Sequence, residues 1–165
     1  VGRFIASSHI LSANVSDEQA RSEVFSLVDH SRSFIGQDTF SMHLDQEIVV
    51  IRQSQAFNRL AAYAPQTQAR DLLRRSSDLL LQLSPETPRR AVMVKLALSQ
   101  AFVGLNELEN AAIIALEALP LMDEIKSVLY LPQLAAIYRA LHKSKLRAHP
   151  SVLRLGLYLH KHVAL

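Results

Sequence analysis

The apolar positions of this chain recur every three or four residues over most of its length, a spacing that predicts a succession of amphipathic helices. Ser16-Asp17-Glu18-Gln19 is a capping box, in which Ser16 accepts from the Gln19 backbone and the Gln19 side chain reaches back, with Val15 and Ala20 placed as a hydrophobic staple. A helix over 16–32 follows, with Ala20, Val24, Leu27 and Val28 on one face, and 33–42, with Gly36 and Asp38-Thr39, reads as a connection. A second helix spans 44–63 and stops before Pro65. A third, over 67–83, puts Ala69, Leu72, Leu73, Ser76, Leu80 and Leu83 on one stripe.

Ser84-Pro85-Glu86-Thr87-Pro88 then supplies a stop and a new start, because Thr87 suits an N-cap and Pro88 the first helical position. The helix it opens, over 88–104, turns Ala91, Val94, Leu98, Ala101, Phe102 and Leu105 inward. The next, over 107–119, carries Leu108, Ala111, Ala112, Ala115, Ala118 and Leu119, a stripe of mostly small residues that lets a neighbouring backbone approach closely. Pro120 is expected to end it. Helix resumes near 124, where Pro132 either kinks it or opens a fresh segment ending near Leu141, and a last helix runs from His149-Pro150 toward Leu165. No stretch alternates with the two-residue period of a half-buried strand. The expectation is an all-α chain of about seven helices forming one domain over 1–165: an irregular part with one helix over 1–43, then antiparallel helix pairs over 44–165.

Residues 98–119 resemble a tetratricopeptide repeat position by position. Leu98, Ala101 and Phe102 stand at the family's first-helix Leu, small and aromatic positions. Leu105 precedes the turn, and Leu108, Ala111, Ala118 and Leu119 occupy second-helix positions. Asn106 replaces the turn glycine, a mild departure because Asn tolerates the left-handed conformation. Ser99 replaces a frequent Gly and Asp123 the closing Pro. Leu134, Tyr138 and Leu141 repeat Leu98, Phe102 and Leu105 at a spacing of 36, close to the family's 34, while Ala69 aligns with Ala111 at 42. The resemblance implies stacked pairs forming a right-handed solenoid; a helical bundle without repeats is the alternative reading of the same pattern. Residues 60–160 also resemble the tail of bacterial regulators that carry such a domain behind a helix-turn-helix. The matching features are Asn106-Glu107-Leu108-Glu109-Asn110-Ala111, Ala118-Leu119, Ile125-Lys126-Ser127 and His149-Pro150-Ser151-Val152. No DNA-reading motif stands in 1–60. The implied role is that of a regulatory or oligomerisation half.

Composition narrows this further. Half of the residues are apolar, one in five is charged, and cysteine is absent, which excludes disulfides and thiolate metal sites and favours a reducing, cytoplasmic setting. No apolar run reaches the roughly 18 residues that span a bilayer, since Glu117 and Pro120 break the stretch Ala111–Met122. The start Val1-Gly2-Arg3-Phe4 lacks signal-peptide architecture and looks like an internal piece of something longer. The net charge of +3 conceals an asymmetry: all 15 acids lie within 1–124, and 125–165 holds seven Lys and Arg with no acid. This basic end either packs and solvates, or presents Lys143, Lys145, Arg147 and Lys161 to nucleic acid, a phosphate-bearing ligand or an acidic partner. Only Tyr130, Tyr138 and Tyr158 offer rings there, so direct nucleic-acid binding has little support.

No catalytic constellation emerges. The seven histidines are His9, His30, His43, His142, His149, His160 and His162; the last two sit two apart on a helix, pointing apart, and read as solvated. Glu107, Glu109 and Glu117 read as a charged face. There is no P-loop, GxGxxG or nucleophile elbow, and no metal or cofactor is expected. The family's groove positions correspond to Met93, Leu96, Gln100, Val103 and Arg139, a lining more apolar than charged that implies a hydrophobic peptide or small apolar effector; the other reading is that Met93 and Leu96 are core. The expected function is that of a non-catalytic module binding a protein or peptide, or sensing an effector, as a homodimer or in a heterocomplex.

Overall fold

The computed structural model describes residues 46–163. The predicted helix over 16–32 and the connection over 33–42 lie outside them. Among the described residues there are six α-helices: α1 (Gln46–Ala61), α2 (Gln66–Leu81), α3 (Pro88–Leu105), α4 (Leu108–Ile125), α5 (Leu131–His142) and α6 (Pro150–Val163), with a single 3₁₀ turn, Val128–Tyr130, leading into α5. No strand occurs among them, and no helix is long and apolar enough to cross a membrane.

Local chemistry sets the helix ends. Thr87 caps α3 from an extended backbone, its hydroxyl accepting from the Arg90 N–H at 3.4 Å, with Pro88 in the first turn. Asn106 ends α3 in the left-handed region at φ 65°. The Asn106 and Glu107 N–H groups donate back to the Val103 and Phe102 carbonyls at 3.1 and 2.8 Å, which satisfies two orphan acceptors of the last turn. Pro132 sits in the first turn of α5, as the second of its two predicted roles requires.

Pro120 does not end α4. The helix continues through it to Ile125 and stops at Lys126, which with Asn106 has positive φ among the described residues. A proline forfeits one hydrogen bond and strains the preceding turn, but Ala118 and Met122 are buried on either side, so leaving the helix there would withdraw Met122 from the core.

The helices pack as α1 on α2, α3 on α4 and α5 on α6, and each pair contacts the next. Helix α3 lies at the centre, touching α1, α2, α4 and α5. It is therefore buried well beyond its predicted stripe: Val92, Met93, Leu96, Ala97 and Ser99 join Val94, Leu98 and Ala101 inside. Against it α4 lays Ala111, Ala112, Ala115 and Ala118, all without exposed surface. The Ser99 hydroxyl donates to the Ala111 carbonyl at 2.8 Å across this seam. Leu134, Ile137 and Leu141 of α5 and Val152, Leu155 and Leu159 of α6 extend the same core. Phe57, Leu60 and Leu72 form a smaller cluster between α1 and α2.

Because the α3–α4 distance is set by methyl groups, enlarging one of them must push the helices apart. Ala115→Leu is expected to cost about 1–3 kcal/mol in urea unfolding with the helical far-UV signal retained. An unchanged midpoint would show that the seam is looser than described.

Candidate functional site

A cleft of about 840 Å³ opens on the side of the molecule formed by α1, α3 and the start of α5. Helix α1 contributes Arg52, Gln55, Asn58 and Arg59; α3 contributes Met93, Gln100, Val103 and Gly104; Leu129, Tyr130 and Gln133 close the α5 end, with Ala69 and Leu73 of α2 at the margin. Gly104 faces α2 closely: a Cβ there would stand 2.6 Å from a methyl of Leu73, whose side chain would have to shift.

Three of the five predicted groove residues, Met93, Gln100 and Val103, line this cleft. The other two do not. Leu96 has no exposed surface and belongs to the core, because α3 is covered on more than one side. Arg139 is exposed on α5 but turns back on its own helix, its Nε donating to the Ala135 carbonyl at 3.3 Å. Helix α1 adds two arginines and two amides to a lining that otherwise holds more apolar than charged residues.

The polar groups are held by their neighbours. Arg52 donates to the Gln55 side-chain Oε1 at 3.0 Å. The Asn58 amide donates to the Ala97 carbonyl at 2.7 Å, tying α1 to α3, and its own Oδ1 is buried without a hydrogen-bond partner. Gln133 donates to Gln100 Oε1 at 3.0 Å, tying α5 to α3. The cleft thus presents the amides of Gln55, Gln100 and Gln133, with Asn58 tied into the α1–α3 contact, between an arginine-bearing end and an apolar end at Met93, Val103 and Leu129.

A second depression lies between the starts of α1 and α3 and the end of α2. There Arg90 pairs with Glu47 at 2.8 Å. Burial, and then the Glu86 carboxylate, push the Glu47 carboxyl above its usual range despite that guanidinium.

The basic-surface candidates behave as a set. Lys143, Lys145, Arg147 and Lys161 are all exposed, the first three in the turn between α5 and α6. The histidines need revision. His160 is exposed, but the His162 ring lies 4.3 Å from that of Tyr158, and its buried Nε2 stands 3.6 Å from Asp123 Oδ1 with no hydrogen bond. The Tyr158 hydroxyl donates to the same carboxylate at 2.9 Å. No acid stands within 125–165, and this carboxylate comes from the end of α4. Asp123 and Tyr158 are 35 residues apart and Gln100 and Gln133 are 33 apart, and each bond joins corresponding helices of adjacent pairs. Among the described residues, no three His, Asp or Glu side chains gather as a metal site.

Burial, and next the hydrogen bond to and charge of Asp123, push the Tyr158 phenol well above its ordinary value. The folded chain then holds this proton where the unfolded chain releases it. That contribution to stability is whole below the ordinary phenol pKa of about 10 and is lost as the pH rises through the folded value. Urea midpoints should therefore fall more steeply on the alkaline side of about pH 10 in the parent chain than in Tyr158→Phe, and parallel curves would remove Tyr158 from the account. The chain matches no family model, no curated protein and no solved structure at a significant level.

Proposed function

We propose that this chain is a non-catalytic helical-repeat module of the tetratricopeptide type, and that its cleft binds an extended peptide segment of a partner protein. The observation that carries the reading is the origin of the cleft's walls: they come from the first helix of each successive pair, α1, α3 and the start of α5. In stacked helix pairs those helices make the concave surface, and extended peptides lie along it. Neighbour-to-neighbour packing of the pairs supports the same reading, as do polar ties at intervals of 33 and 35 residues. In this reading the pairs stack as a short solenoid.

The chemistry favours a peptide of mixed character. Gln55, Gln100 and Gln133 can pair with peptide amides, Arg52 suits an acidic or carbonyl group at one end, and Met93, Val103 and Leu129 suit an apolar side chain at the other. The module serves as the regulatory part of a bacterial cytoplasmic transcription regulator, following the resemblance over 60–160, with peptide binding shifting the helix packing that attached domains sense.

Selection of peptides from a displayed random library, followed by fluorescence anisotropy, tests the cleft. Peptides with a shared motif are expected, and Gln100→Ala with Gln133→Ala should weaken them at least about tenfold, equivalent to about 1.4 kcal/mol. Selection of no shared motif, or affinity indifferent to Arg52, Gln100 and Gln133, would refute the assignment.

A further inference from the structure

We propose that the solvent-facing side of α6 is a second docking surface, separate from the cleft, and that its occupant is an acidic amphipathic helix of a partner protein. Val152, Leu155 and Leu159 fix one side of α6 in the core. The opposite side carries Pro150, Leu153, Arg154, Leu157, His160 and Lys161, all exposed. At 3.6 residues per turn these six positions fall within an arc of about 120°. Leu153 and Leu157, one turn apart on that arc, are 53% and 70% exposed, so the helix turns an apolar ridge to water. Arg154 and Lys161, seven positions apart, form a cationic row along one flank of the ridge. Lys145 and Arg147 extend the positive charge beyond its amino-terminal end.

The shape selects a helix. Two leucines spaced i and i+4 make the kind of ridge that fits between the side-chain rows of another helix, and they provide no trough for an extended strand. Charge selects its sign. No acid occurs in 125–165, so a helix bearing glutamates or aspartates is the complement of the flanking cations. A second copy of the same face would set Arg154 and Lys161 against their own kind. A nucleic acid would leave the leucine ridge facing phosphates. A lipid surface calls for a broad apolar face bearing large rings. Here the exposed arc has two leucines and no aromatic residue, Tyr158 being turned to Asp123.

The test uses the whole chain and a fluorescein-labelled synthetic helix with leucines at i, i+3, i+4 and i+7 flanked by glutamates. Anisotropy should show saturable binding that weakens with added salt. Leu153→Ser with Leu157→Ser, and separately R154E with K161E, should each weaken it at least about tenfold without altering the far-UV spectrum. The charge-reversed variant should in turn bind the lysine counterpart of the probe, while Gln100→Ala with Gln133→Ala leaves binding unchanged. That last variant separates failure here from failure of the cleft assignment. Absence of binding, equal binding of a glutamine counterpart, or indifference to the α6 variants would overturn the proposal. So would either of two alternatives. One is co-sedimentation with phosphatidylcholine vesicles containing about one-quarter phosphatidylserine, lost in the same variants, which would assign the face to anionic lipid. The other is a dimer in sedimentation velocity abolished by Leu153→Ser with Leu157→Ser.

Discussion

The closest constraint in the molecule is the contact of α3 with α4, where four alanines without exposed surface let two helix backbones approach as near as methyl groups allow. A seam of this kind loses little side-chain entropy on folding, since alanine has no rotamers to freeze, but it tolerates little error in position. Ser99 adds a directional element, since its bond to the Ala111 carbonyl registers one helix along the other. Everything else is arranged around this unit. The central helix α3 sends Met93, Gln100 and Val103 toward the cleft while Leu96 and Ala97 anchor it from within, so the cleft floor is only as well placed as the seam beneath it.

Between pairs the glue is different. Asn58 reaches the Ala97 carbonyl, Gln133 reaches Gln100 and Tyr158 reaches Asp123. Each is a polar group that would be costly to leave unmet if buried, so these bonds specify how neighbouring helices align more than they add to the net stability. The apolar core supplies the drive and the ties supply the register.

Much of this was legible in the residues. Thr87-Pro88 announced a helix start and Asn106 a left-handed stop, because both signals depend on backbone chemistry within a few positions. The alanine stripe predicted close approach, and the helix boundaries of α1, α2 and α5 fall within a few residues of expectation. What escaped was whatever depends on a distant partner. Pro120 reads locally as a breaker and is overridden by the burial of Met122; Leu96 reads as one flank of a helix and is covered because α3 is central. The cleft's arginines and two of its four amides belong to α1, and nothing within that helix announces which face another helix will leave open. Asp123 and His162 likewise come together only through packing.

The order of packing has a consequence for the rate and route of folding. Substantial contacts join each pair to itself and to the next, and none of this strength joins α1 and α2 to α6. Such a chain closes mostly short loops, the topology associated with fast folding and with opening in segments. Loss of the α5–α6 pair would uncover Met122 and one side of α3 while leaving the alanine seam intact. The molecule is therefore built to come apart from its edges inward, and the slowest backbone amides to exchange with solvent should be those of α3.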